Sequence, residues 1–152
     1  MKHFALTLLA ASCGLASCTL CAAAETDTVP PQRKEIRIEP LINPDSLAFD
    51  GSSCDFAQRG KKSAGAVVVY NSDEAWARID GKQEKLGHGK TDVVESPGHD
   101  RIVSTFHSST TTLVVNTREL KRGEGGFSAA GTVLVKKGGL TRQIDIVGGC
   151  AD

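Results

Sequence analysis

The sequence predicts an all-β domain, a small antiparallel meander that closes into a barrel or a sandwich. From Cys54 onward, apolar and polar residues alternate with a period of two, and turn residues recur about every eight to twelve positions. No stretch of this region sustains the 3.6-residue period of an amphipathic helix, so we expect little or no helix. Cys54 and Cys150 lie at the two ends of the alternating pattern.

The N-terminus predicts export. A basic start at residues 1–3 is followed by an apolar run at 4–11 and by small residues that end at Ala24. These are the parts of a cleavable secretory signal. A membrane-spanning helix needs about 20 predominantly apolar residues, and polar or small residues interrupt this stretch from Ser12 onward. We therefore interpret residues 1–24 as a signal peptide.

Two cleavage sites are compatible with this segment. Cleavage after Ala24 releases a soluble chain with an even pair of cysteines. Alternatively, residues 15–18 resemble the lipobox of bacterial lipoproteins, in which Cys18 would be lipidated and become the new N-terminus. That cut leaves Cys21 as an odd thiol. Both alternatives predict a periplasmic or secreted protein, and the second predicts a lipoprotein anchored at the outer membrane.

An oxidising destination predicts that Cys54 and Cys150 form a disulfide, because disulfides persist outside the cytoplasm. The bridge would link the first and last strands of the domain and bring the edges of the meander together, which favours a barrel over a flat sheet. Closing a loop of about 100 residues contributes on the order of 4–5 kcal/mol in the chain-entropy model.

Composition excludes several partners. Removal of residues 1–24 leaves 128 residues, one domain, with 17 basic and 18 acidic side chains. Neither sign is in excess, so we expect no binding to nucleic acid, and contact with a membrane only through a lipid at Cys18. Six aromatic residues remain in this part of the chain, and the core needs them.

A proline-rich lead-in precedes the β-domain. Four of the five prolines lie between Pro30 and Pro44, so we expect residues 25–48 to be extended and poorly packed, with 36–38 at most a short edge strand. The β-domain then spans residues 49–152.

Strands follow in order along the β-domain, separated by turn signals. Asp80-Gly81 is a strong two-residue hairpin signal, and Gly138-Gly139 predicts a second tight hairpin. We expect the chain to break at 87–89 and again at Pro97-Gly98. The predicted strands are residues 54–56, 66–70, 74–79, 82–86, 101–106, 110–117, 127–136 and 140–147.

No catalytic or metal motif is complete. Gly89-Lys90-Thr91 resembles the end of a phosphate-binding loop, but Glu84 occupies the position that the motif reserves for glycine. His88, His99 and His107 match no compact ligand spacing, and we expect no metal or cofactor. No G-x-S-x-G elbow is present, and paired cysteines offer no thiolate. We expect no enzymatic activity.

Two loops are the candidate binding regions, because functional contacts concentrate on loops held by rigid scaffolds. The first follows the predicted break near Pro97, and the second is the mixed-charge hairpin end at 118–124. The candidate binding residues are Ser96, Gly98, His99, Arg101, Lys121 and Arg122.

Three segments carry a resemblance to known proteins: Cys54-x-Phe56, the hairpin at 75–86 with its W-x-x-I-D-G-K pattern, and Gly148-Gly149-Cys150. The chain resembles a set of uncharacterised secreted bacterial proteins with a cysteine-bracketed β-domain. It is more distantly similar to the periplasmic and membrane-bound inhibitors of c-type lysozyme. That resemblance implies a small exported barrel, often a lipoprotein, with a disulfide between its first and last strands.

The inhibitory loop of that family has the form Ser-Gly-x-x-Tyr. The nearest counterpart here is residues 96–101, where serine and glycine are offset by one position and no tyrosine follows. The resemblance therefore implies the architecture without the inhibitory motif.

Together these observations predict a non-enzymatic module that binds an extracytoplasmic protein, such as an inhibitor or immunity factor directed against a cell-wall hydrolase. Two alternatives stay open. The first is a structural envelope lipoprotein with no specific ligand, and the second is a hydrolase.

Overall fold

The computed structural model describes residues 35–47, 49, 51–61, 65–95 and 100–151. Nine strands account for most of them, and a single 3-10 turn at Pro44–Ser46 is the only helical element among the described residues. The strands are β1 (Ile38–Glu39), β2 (Ser53–Gln58), β3 (Ala66–Tyr70), β4 (Glu74–Ile79), β5 (Lys82–Val94), β6 (Arg101–His107), β7 (Thr111–Gly123), β8 (Gly126–Lys137) and β9 (Leu140–Ala151).

Strands β2 to β9 form a closed antiparallel barrel of eight strands. Each strand pairs with the next one along the chain, and β9 pairs with β2 to complete the ring. The β2–β9 seam extends over six residue pairs, from Ser53 opposite Ala151 to Gln58 opposite Ile146. The predicted all-β meander that closes on itself is confirmed.

The predicted hairpins form where the sequence indicated them. Asp80 and Gly81 have φ values of 54° and 80°, and Gly138 and Gly139 have values of 55° and 77°. Two consecutive residues with positive φ define the type I′ turn, whose twist matches that of paired strands. These turns join β4 to β5 and β8 to β9.

The break that we expected at residues 87–89 is absent. Strand β5 continues through this segment to Val94, with an irregularity in its pairing to β6 between His88 and Lys90. A bulge absorbs the extra residue without ending the strand. Gly89 suits this position because a Cβ there would lie 2.6 Å from Cδ2 of His107.

Inward-facing positions of every barrel strand supply one continuous core. Phe56, Leu86, Phe106 and Leu113 are fully buried. The ring of Tyr70 lies between two of them, with centroids 6.0 Å from Phe56 and 5.4 Å from Phe106. Three aromatic rings therefore fill the middle of the barrel, where aliphatic side chains alone would leave space.

One end of the barrel is covered by residues 35–42. Strand β1 pairs with the end of β4, and the Leu41 amide donates to the Ala66 carbonyl over 2.7 Å. Ile36 and Leu41 are buried. A short edge strand forms at Ile38–Glu39, shifted from the expected 36–38. The expectation of poor packing is wrong for these residues, because Ile36 joins the hydrophobic core and Leu41 is also buried.

A partly buried polar cluster lies near this covered end. The Glu84 carboxylate accepts hydrogen bonds from the Lys137 ammonium over 2.7 Å and from the Thr111 hydroxyl over 3.0 Å. Both carboxylate oxygens thus have partners, which offsets the cost of removing a charge from water. We call this end the closed end.

Cys54 and Cys150 form the predicted disulfide, across the β2–β9 seam and over a sequence separation of 96 residues. Each of these strands also has a second neighbour, so the bridge reinforces a pairing inside a continuous ring.

We expect loss of this bridge to lower the free energy of unfolding by about 4–5 kcal/mol, because the unfolded chain regains the entropy of a long open loop. Thermal unfolding of the oxidised protein, with and without reductant, measures the effect. The Cys54→Ser/Cys150→Ser double variant is the control, since reductant must leave its melting temperature unchanged. An equal melting temperature for the oxidised and reduced protein would contradict the expectation.

Gly148→Ala tests the close approach of β2 and β9. A Cβ at this position would collide with the Asp55 carbonyl oxygen and lie 2.8 Å from Cα of Phe56. Backbone atoms cannot yield as a side chain can, so we expect a loss of about 1–3 kcal/mol in denaturant unfolding. Gly125→Ala is the matched control, because a Cβ there meets nothing within 4 Å. Similar losses in both variants would mean that the strand approach is not the cause.

Candidate functional site

The end of the barrel opposite the closed end carries the candidate site, and we call it the open end. Strands β5 and β7 contain 13 residues each, whereas β3 and β4 contain five and six. Beyond Gly87, strand β5 has passed the start of β4 and continues in pairing with β6. The β5–β6 and β7–β8 hairpins therefore project past their neighbours at this end.

Three of the six candidate binding residues lie on these hairpins. Arg101 opens β6 on the outer face, where its Nε donates to Asn116 Oδ1 over 2.8 Å. Lys121 and Arg122 are exposed near the tip of the β7–β8 hairpin. Ser96, Gly98 and His99 lie outside the described residues. The barrel thus brings Arg101, Lys121 and Arg122 to one end, although about 20 residues separate the two loops in sequence.

Arg122 is engaged within its own hairpin. Its Nη2 and Nε donate to the two oxygens of Glu119 over 2.6 and 3.1 Å. Its guanidinium carbon lies 5.0 Å from the centre of the Phe127 ring. A bidentate pair combined with an aromatic contact fixes the side chain, so Arg122 supports the hairpin.

A shallow groove runs over the outer face beside Lys121. Its volume is about 520 Å³. The pairing places Asp55, Gly149, Ser128 and Lys121 in one row across four strands. Because Gly149 carries no side chain, the floor is open backbone, with a carboxylate at one end of the row and an ammonium group at the other. We call this feature the outer groove.

A second concavity lies inside the barrel at the open end, with a volume of about 400 Å³. We call it the mouth cavity. Its lining combines hydroxyl, amide and imidazole groups with apolar ones, and among the described residues no carboxylate, ammonium or guanidinium group contributes. The lining residues are Ser52, Ser53, Cys54, Tyr70, Asn71, Ser72, His88, Thr91, Ile102, Ser104, Phe127, Cys150 and Ala151.

Hydroxyl groups form a hydrogen-bonded row along one wall of the mouth cavity. His88 Nε2 lies 3.0 Å from Thr91 Oγ1, which in turn lies 3.1 Å from Ser104 Oγ. Register explains the row, because Thr91 and Ser104 are directly opposite each other on β5 and β6. Ser104 is 4% exposed, so its hydroxyl belongs to the barrel interior.

Tyr70 contributes a phenol beneath this row. Burial raises the pKa of Tyr70 to about 12, and a hydrogen bond to the Thr117 side chain opposes the shift. Burial disfavours the phenolate because an anion loses its hydration there. The interior below the mouth cavity therefore favours neutral groups.

The row places one hydroxyl, that of Thr91, within direct hydrogen-bond reach of the His88 imidazole. Ser104 Oγ contacts Thr91 and lies one step farther along the row. Within the described part of the chain, no three histidine, cysteine or carboxylate side chains come close enough to hold a metal ion. His107 lies away from His88, on the outer face, 3.2 Å from the Thr112 hydroxyl.

The mouth cavity was missed at the level of sequence. The signal was present in the hydroxyls of Thr91, Ser104 and Thr117, which occupy inward positions on three successive strands. Only the strand register shows that they share one end of the barrel. Because a chain break was expected at residues 87–89, His88 was assigned to a loop, and its hydrogen bond to Thr91 was not predicted.

Comparisons with protein-family models, with curated proteins and with solved structures find no match to this chain. The resemblance to secreted lysozyme inhibitors therefore stays a prediction. Among the residues that the structure describes, no helix has the length and hydropathy of a transmembrane span.

The environment of Tyr70 gives a direct measurement, because it is the only tyrosine in the chain. Its folded pKa is raised, so the associated stability is complete below about pH 10 and is lost as the pH rises toward 12. We expect tyrosinate absorbance to titrate near pH 12 in the folded protein and near 10 in denaturant. The corresponding loss is on the order of 2–3 kcal/mol. Tyr70→Phe is the control for unfolding, and a folded midpoint near 10 would contradict the burial effect.

Proposed function

We propose that this chain is an exported, non-enzymatic module that binds another extracytoplasmic protein through the open end of its barrel. The sharper form of the proposal is an inhibitor or immunity factor directed against a cell-wall hydrolase. The observation that carries it is the position of Arg101 and Lys121 on two projecting hairpins at one end of the barrel, with Lys121 lining the outer groove.

The scaffold supports this role because the strands of both hairpins belong to one continuous hydrogen-bonded ring. Each projecting hairpin joins a ring in which every barrel strand has two neighbours. Arg101 is further fixed by Asn116, and Arg122 by Glu119. Residues that are ordered before binding lose less conformational entropy on binding, which favours affinity.

The charge of the open end suits the active sites of polysaccharide hydrolases. Glycoside hydrolases use a pair of carboxylates that flank the bond to be cleaved. An exposed guanidinium or ammonium group on a projecting hairpin can reach into such a cleft and pair with them. Arg101 and Lys121 are both exposed and both lie on projecting hairpins.

The outer groove adds a surface for the body of the partner. Its floor of glycine backbone is free of side-chain obstruction, and Asp55 and Lys121 give it opposite charges at its two ends. Such a groove suits a polar segment of a partner better than an apolar one.

Titration of the oxidised protein into c-type lysozyme and other cell-wall hydrolases tests the proposal. We expect dose-dependent inhibition of at least one hydrolase. Lys121→Glu and Arg101→Glu are expected to raise the half-inhibitory concentration about tenfold or more, because each reverses a charge that faces the partner. Lys136→Glu is the matched control, since this exposed lysine lies toward the closed end.

Absence of inhibition across the hydrolases would contradict the sharper form of the proposal. Inhibition that survives both charge reversals, or that falls equally with Lys136→Glu, would remove the open end from the binding surface. Metabolic labelling of Cys18 with a fatty acid, together with no partner, would favour a structural envelope lipoprotein instead.

A further inference from the structure

We propose that the mouth cavity is a binding site for an uncharged, amphipathic small molecule that carries hydroxyl or carbonyl groups along one edge and an apolar ring or chain on the other. The inference goes beyond protein binding and uses a different surface. It rests on the size of the cavity, the distribution of its polar and apolar walls, and the absence of carboxylate, ammonium and guanidinium groups from its described lining.

The cavity has the dimensions of a small-molecule site. Ligand pockets commonly enclose about 300–1,000 Å³, and the mouth cavity encloses about 400 Å³. It lies at the mouth of a small antiparallel barrel, a place where such sites recur because the ends of the strands converge there. At the closed end, by contrast, Ile36 and Leu41 are buried.

The polar wall has unused hydrogen-bonding capacity. A hydroxyl group can donate one hydrogen bond and accept two. Thr91 Oγ1 is shared between His88 and Ser104, and Ser104 Oγ contacts Thr91. A ligand hydroxyl or carbonyl could extend this row without breaking it, because Ser104 has capacity beyond its bond to Thr91.

The apolar wall consists of Ile102, Phe127 and the Cys54–Cys150 disulfide. The guanidinium of Arg122 contacts the Phe127 ring, with its carbon 5.0 Å from the ring centre. A ring or short chain that packs against this wall would gain from removal of apolar surface from water. The two walls together select a molecule with one polar edge and one apolar face.

The interior of the mouth cavity disfavours a charged ligand, because an ion loses its hydration there. An ionised group would enter a cavity whose described lining contains no carboxylate, ammonium or guanidinium group to pair with it, and it would lose hydration. Tyr70 lines the cavity, and burial raises its pKa, so the same interior also disfavours an anion of the protein itself. The site therefore excludes anions such as free phosphate or sulfonate groups.

Fluorescence titration with PRODAN, an uncharged naphthyl ketone dye, tests the site. We expect saturable one-to-one binding to the oxidised full-length chain, with a blue-shifted emission. Thr91→Val keeps the shape of the residue but removes its hydroxyl, and is expected to weaken binding about three- to tenfold. Thr91→Trp fills the mouth from an exposed position and is expected to weaken it about tenfold or more.

Thr141→Val and Thr141→Trp are the matched controls, because Thr141 is an exposed strand threonine near the closed end. Equal weakening by the Thr141 and Thr91 variants, or no saturable binding at all, would overturn the proposal. Tighter binding of the anionic naphthalene sulfonate dye ANS, abolished by Thr91→Trp, would overturn the uncharged class. Amide chemical shifts in the variants confirm folding, and in the PRODAN complex they must change first around His88 and Ser104.

Discussion

The pairing of β2 with β9 is the constraint on which the rest of the structure depends. Without it, the meander would be an open sheet with two free edges, each a row of unpaired amides and carbonyls. Six residue pairs and one disulfide join those edges. Closure creates the barrel interior, which holds both the aromatic core and the mouth cavity. The disulfide itself lines that cavity through Cys54 and Cys150.

The two ends of the barrel have different chemistry because different segments and side chains lie at each of them. At the closed end, residues 35–42 cover the opening, and Glu84 is matched by Lys137 and Thr111. At the open end, the interior polar groups are hydroxyls and one imidazole, and the long strands carry side chains of both charge signs outward. The interior polar cluster therefore contains an ion pair at the covered end, and hydroxyl groups with an imidazole at the accessible end. This asymmetry points both proposed binding surfaces in the same direction.

The architecture was predictable from short sequence signals, whereas the mouth cavity could be located only from the pairing register of the strands. Positive φ at Asp80-Gly81 and Gly138-Gly139 is a property of adjacent residues, so sequence alone placed both hairpins. The Cys54–Cys150 bridge followed from export and parity. The bulge beside Gly89 could not be predicted in this way, because the glycine accommodates His107 on a neighbouring strand. The burial of Ile36 and Leu41 was equally hidden, since the prolines near them indicate an extended chain but do not show what it covers.

The mouth cavity and the outer groove share a wall, which makes the two proposals physically contiguous. Phe127, Cys150 and Ala151 line both features. The Phe127 ring faces the cavity and also meets Arg122, whose carboxylate partner Glu119 lies on the same hairpin as Lys121. A ligand against Phe127 would thus press on the element that presents the cationic surface. A shared wall does not by itself couple the two sites. Energetic coupling requires a structural element that has two arrangements, with ligands at both sites shifting the equilibrium between them. The β7–β8 hairpin is where such an element would have to lie, because it contributes Phe127 to the cavity and both Phe127 and Lys121 to the groove.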